Sequence, residues 1–143
     1  MAGYGALQDQ FTARLCPEYF TVAHQPIPGV TDPTVLGLAW GFLGGWWGGL
    51  LLGLGVARAG DIARAVAALL AAVGAVSALA CAGNLHNADL LGVSVGEPWA
   101  SRVPAERHRA LVAVANTHFA AYTTTTVGGV VACAWVARRR FGA

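Results

Sequence analysis

DPTVLGLAWGFLGGWWGGLLLGLGVAR, residues 32–58, decides the fold of this chain. From Thr34 to Val56 it carries no ionisable side chain, which fits the ~20 apolar residues that a helix needs to cross hydrocarbon. Gly37, Gly41, Gly45, Gly49 and Gly53 recur at every fourth position. Such a row is a glycine zipper: a groove without side chains, along which a second helix can approach at backbone distance. In water this much glycine disfavours helix by ~1 kcal/mol per residue relative to alanine. In a bilayer the backbone has no water to bond, and helix is the cheapest state left to it. The row therefore reads as a helix-packing face rather than a pore lining.

Composition agrees. The 143 residues are 56% hydrophobic and 11% charged, whereas soluble domains run nearer ~25% charged. All nine basic residues are arginine, and the net charge of +2 is too small to argue for nucleic acid. Cys16, Cys81 and Cys133 lie in different segments without CxxC or Cys/His zinc spacing, so they read as buried, unreactive thiols. A Cys16–Cys81 disulfide at one membrane face is the other reading.

Outward from the glycine span the chain divides as follows. Residues 1–33 hold a short helix and a proline-rich, irregular lead-in. Tyr4, Leu7, Phe11 and Leu15 fall at helical spacing, which predicts an amphipathic helix on the membrane surface or over the protein's own core. Asp32 caps the first span (34–57), with Pro33 at the first helical position. A turn at Ala59–Gly60 with Asp61 as cap leads into the second span (62–83). Its small residues Ala67, Ala71 and Ala75 suit the glycine groove, so the first two spans are expected to form a tight antiparallel hairpin. Residues 84–103 form an outer loop. Pro104 and Glu106 open a third span (104–137), and 138–143 is a basic tail. The expected fold is an all-α integral membrane protein with three transmembrane helices after a surface helix. Trp99, Trp135, Arg138, Arg139 and Arg140 are the expected anchors at the membrane–water boundary.

Arginine distribution sets the topology. Arg58, Arg64 and the three tail arginines lie on one side, and Arg14, Arg102, Arg107 and Arg109 on the other with six of the seven acids. The positive-inside rule then places the N-terminus outside and the C-terminus in the cytoplasm of a bacterial plasma (inner) membrane. An outside N-terminal region without a preceding hydrophobic segment leaves two expectations. The tail is translocated unaided, or Met1 is not the biological start and an upstream helix precedes it.

Tyr4-Gly5, Asp9-Gln10, Thr12, Pro17-Glu18-Tyr19-Phe20-Thr21 and His24 resemble the opening of a family of small bacterial multi-pass membrane proteins of unknown function. Its pattern is YGxxHDQxT…PEYFTxxH, followed by a tryptophan-rich span similar to Trp40-Gly41 and Trp46-Trp47. A late His and Tyr four residues apart are similar to His118 and Tyr122. The resemblance implies a hydrophobic helix upstream of the YG motif and brings no activity with it. At Gln8 this chain departs from the family's His, which weakens a ligand role there.

Polar groups inside hydrocarbon are costly and therefore informative. His118, Tyr122 and Thr126 share one stripe of the third span. His118 reads as a metal or haem ligand, a quinone hydrogen-bond donor or a proton relay, or as a neutral histidine bonded to another helix. Asp9, Glu18, His24, His86, Asp89 and His108 gather on the same outer side. No two histidines stand at i, i+3 or i+4, so a metal site would need tertiary convergence. No GxSxG, Walker or dinucleotide motif occurs. Three spans without an inverted repeat are thin for a transporter, and a channel would need oligomerisation.

Two functional expectations follow. The first is a small structural or accessory subunit, without catalysis of its own, that packs with other membrane subunits or with itself in the lipid bilayer. The alternative is a membrane redox or metal/haem protein using the outer-face histidines.

Overall fold

A computed structural model describes residues 1–56, 62–87, 92 and 94–141. The described residues are all-helical, with no strand. Helix α1 (Ala2–Leu15) leads through a one-turn π-helix (Tyr19–Ala23) to α2 (Pro33–Val56). Helix α3 (Ile62–Asn87) follows, then a 3-10 turn (Ala105–Arg107) and the long α4 (His108–Phe141). Asp61, Arg58, the Ala59–Gly60 turn and Asp89 lie outside the described residues. So do the contacts of Gly53 and the side chains of Arg64, Arg139 and Arg140. Among the described residues one segment, Ala65–Asn87, is long and apolar enough to cross a membrane by length and composition.

Local chemistry sets the helix ends. Cys16 leaves α1 at φ −148° and ψ 85°, because a following proline, here Pro17, disfavours the helical region. Asp32 caps α2: its Oδ1 accepts from the backbone N–H groups of Thr34 at 2.9 Å and Val35 at 3.0 Å. Pro104 sits before the 3-10 turn at ψ 139°, not inside the last helix. Helix α3 runs to Asn87, past Gly83, because Asn84 gives it a polar tie. The Asn84 amide donates to the Ala80 carbonyl at 2.7 Å, and Asn116 donates to Asn84 Oδ1 at 2.6 Å.

The helices pair differently from the expected hairpin of the first two spans. The main partner of α2 is α1, and that of α3 is α4. Antiparallel to α2, α1 lies in the glycine row itself. A Cβ built at Gly37 would stand 2.6 Å from the Asp9 carbonyl oxygen, and one at Gly45 would stand 2.9 Å from Ala2 Cα. At Gly41 the added carbon would meet the backbone of Gly5 and Ala6. A groove filled this way has no room for α3. Ala67, Ala71 and Ala75, expected to enter it, are exposed. Helix α3 instead turns Val73 and Ser77 inward and sets Leu69 against Gly128 of α4.

Helix α1 is therefore no surface amphipath. Asp9, Thr12 and Ala13 are its buried residues, while Leu7 and Phe11 are 61% and 71% exposed. Backbone complementarity with the glycine row outweighs the burial of those two side chains. The apolar core gathers at the end where α1, the π-turn, α2 and α4 meet, around Phe20, Leu36, Leu111 and Val114. Burying such a side chain contributes ~1.5–3 kcal/mol.

Gly41→Ala should lower the unfolding midpoint in detergent, followed by circular dichroism, through overpacking of ~1–3 kcal/mol. Gly48→Ala, where an added Cβ meets nothing within 4 Å, should leave the midpoint unchanged or raise it. Equal behaviour of the two variants would contradict the α1–α2 contact.

Candidate functional site

Seating α1 in the glycine row brings Asp9 onto α4. The His118 ring lies with Nε2 at 2.9 Å from Asp9 Oδ1, and the two residues are 6% and 4% exposed. Its Nδ1 is 2.9 Å from the Val114 carbonyl. A carbonyl oxygen only accepts, so Nδ1 carries a proton. A second proton must then sit between Nε2 and Asp9, on whichever atom holds it. Either as imidazolium with carboxylate or as imidazole with carboxylic acid, the pair is electrically neutral. Neutrality is what lets it be buried at tolerable cost. Thr12 also lies within reach of Asp9 Oδ1, at 3.3 Å.

Aromatic rings close round the imidazole. Tyr19 stacks on it at 4.7 Å between ring centres, Phe20 meets it edge-on at 5.7 Å, and Tyr122 lies at 6.4 Å. The π-turn supplies Tyr19 and Phe20, and its last N–H bond runs from His24 to the Tyr19 carbonyl. The His24 ring donates to that same carbonyl through Nδ1 at 3.0 Å, and packs on Trp40 at 5.0 Å. The Trp40 indole N–H is buried without a hydrogen-bond partner among the described residues.

The pair lines a cavity of about 430 Å³ between α1, α2 and α4. Tyr4, Gln8, Gly44, Tyr122 and Thr125 share its wall. Tyr4 donates to Gln8 Oε1 at 2.7 Å. The Tyr122 hydroxyl has no hydrogen bond to any described residue and lies over Gly44, where a Cβ would come within 3.0 Å of it.

The other candidates go elsewhere. Glu18 takes a forked ion pair from Arg107, with Nε at 3.1 Å from Oε1 and an Nη at 3.2 Å from Oε2. The same guanidinium donates to the Leu15 carbonyl at 2.9 Å, closing the C-terminus of α1. Burial alone would raise the Glu18 carboxyl. Hydrogen bonds from Arg107, its own backbone N–H and Cys16 outweigh that and hold it below the usual carboxylate range. Burial, then the bond to Glu18, pushes the Cys16 thiol up to about 11, so it is inert. All three cysteines are free. His108 donates to the Val103 carbonyl at 2.9 Å. His86 is exposed near the end of α3, and Trp99, Trp135 and Arg138 are exposed.

As a metal or haem ligand His118 does not fit, because both ring nitrogens are committed. Among the described residues no three His, Cys, Asp or Glu side chains stand together to hold an ion. Asp9 and His118 both stand out as candidates in the sequence, but 109 residues of separation hide their pairing. The signal was present: an acid at the centre of a small-residue helix and a histidine inside an apolar one each need a partner. No protein-family model matches the chain, and no curated protein or solved structure matches it either.

Two predictions follow from this geometry. Asp9→Ala leaves His118 Nε2 without a partner and should cost ~1–3 kcal/mol. Asp9→Asn should cost less, since its amide can donate to Nε2 as a protonated Asp9 would; equal losses in thermal melts would contradict this. Glu18→Gln should lower stability at neutral pH by ~1 kcal/mol or less, because the ion pair is partly solvated. A depressed carboxyl stabilises above its ordinary pKa and stops doing so as pH falls through its folded value. The difference between wild type and Glu18→Gln should therefore close below pH ~4, and a difference that persists there would contradict the ion pair.

Proposed function

We propose that the chain is a multi-pass protein of a bacterial plasma membrane in which α2, α3 and α4 cross the bilayer. The end of the bundle that holds Asp32 and Pro104 faces outside, and the C-terminus lies in the cytoplasm. It serves as a small accessory subunit that packs with other membrane subunits or with a second copy of itself.

The observation that carries this reading is the exposure of apolar helix surface. Only 11% of the most apolar window in Ala65–Asn87 is buried inside the molecule. A core helix of that hydropathy in a water-soluble domain would be mostly covered. Leu79 of α3 is 72% exposed, Phe42 of α2 60%, and Phe119 and Val130 of α4 71% and 66%. Together these make an apolar surface on each long helix that needs lipid or protein as cover.

Helix α1 shares the depth of the first half of α2, and its polar residues are satisfied within the molecule. Asp9 bonds His118, Gln8 accepts from Tyr4, and Gln10 donates to the Thr34 carbonyl at 3.1 Å. That is what a low-dielectric surrounding demands. Two helix pairs joined by few contacts leave open flanks, which supports a role inside a larger assembly.

Membranes carrying the chain should retain it through alkaline carbonate washing, and release into the supernatant would overturn the membrane reading. Native mass spectrometry of the particle in mild detergent should show a defined multiple of the chain or added protein mass. A lone chain under those conditions would overturn the accessory role.

A further inference from the structure

We propose that the cavity beside Asp9 and His118 binds a neutral, lipophilic ring compound with carbonyl or hydroxyl oxygens, of the quinone/quinol class. The site is formed within a single chain and does not depend on the assembly role.

Size comes first. At about 430 Å³ the cavity falls within the ~300–1,000 Å³ of small-molecule sites. Its wall decides the body of the ligand. Gly41, Gly44, Gly45 and Gly48 of α2 present bare backbone there, with Trp40 and Trp47 beside them. Facing them on α4 are Ala121, Tyr122, Gly129 and Val130. A flat apolar ring can lie against such a wall and stack on its aromatic neighbours.

The polar groups decide the ligand's heteroatoms. Asp9 lines the cavity, and while Oδ1 stays with His118 its second carboxyl oxygen can accept from a ligand hydroxyl. The Asp9–His118 pair offers a charged ligand no net opposite charge to offset its lost hydration. Tyr122 carries a hydroxyl with no partner among the described residues and lines the same cavity. It can donate to a carbonyl or accept from a phenolic hydroxyl. An apolar ring with one or two such oxygens gives the Tyr122 hydroxyl its partner and can reach the Asp9 carboxyl, and a plain hydrocarbon chain does neither. Only binding is assigned; no electron or group transfer is part of it.

Glycine 48 offers a clean block. A Cβ there meets nothing within 4 Å, and the residue lines the cavity. Gly48→Leu therefore puts bulk into the cavity from a position whose Cβ meets neither the Asp9–His118 pair nor α1.

The experiment titrates decylubiquinone into the purified full chain in detergent and follows tryptophan fluorescence, since Trp40 and Trp47 line the cavity. n-Decylbenzene, which has the ring and tail but no oxygens, is the control. Saturable quenching is expected, weakened at least tenfold by Gly48→Leu and severalfold by Tyr122→Phe, with both variants melting within a few degrees of wild type. Decylbenzene should compete at least tenfold more weakly. No saturable quenching in wild type would overturn the proposal. Quenching indifferent to Gly48→Leu would place the ligand elsewhere and overturn it too. Equal competition by decylbenzene would reduce the site to a slot for any apolar chain, which overturns the quinone assignment.

Discussion

Backbone-to-backbone contact between α1 and the glycine row of α2 is the constraint on which the other features depend. No side chain intervenes at Gly41, so the helix axes approach as closely as two backbones allow. That approach fixes the rotation of α1 about its own axis, and with it the direction in which Asp9 points. Turned elsewhere, α1 would leave His118 without its Nε2 partner and Asp9 as a buried unpaired acid. Each of those states is costly where water is scarce. The glycine row and the buried pair therefore support one another: the first allows the approach, and the second favours a single register of it.

Around this contact the remaining polar ties act locally. Arg107 holds Glu18 and the Leu15 carbonyl at the end of α1, joining the start of the final helix to the end of the first. Asn84 and Asn116 join α3 to α4 near the same end. The apolar core lies there as well, whereas the middle of the helices is held mainly by small residues. Cavity and exposed flanks both follow from that division, since a bundle packed through glycine and alanine has few large side chains with which to fill its interior.

Much of the architecture was legible in the sequence, for identifiable reasons. The four-residue glycine period announced a packing face, Asp32–Pro33 announced a helix start, and the apolar runs announced long helices. What covers the glycine face was not legible. Two candidate partners existed, α1 and α3, and both carry small residues at compatible spacing. Periodicity sees Leu7 and Phe11 as an apolar face but gives no weight to Gly5 and Ala6, whose lack of bulk decides the contact. The site was half legible. His118 and Asp9 stood out as polar groups that need an explanation, yet their distance along the chain concealed that they explain each other. Tyr19 and Phe20 were noticed only as part of a motif, because a π-turn that folds two rings onto a histidine has no sequence period to reveal it.

The site exists only if α1 places Asp9 against His118. Solid-state NMR of the full chain in lipid bilayers, with carbon and nitrogen labels on Asp and His, tests this directly. A through-space correlation between the Asp9 carboxyl carbon and His118 Nε2 is predicted, and it should vanish in Asp9→Ala. Absence of that correlation in the wild type, together with contacts from Asp9 to water or lipid headgroups, would contradict the docking of α1 and the site built on it.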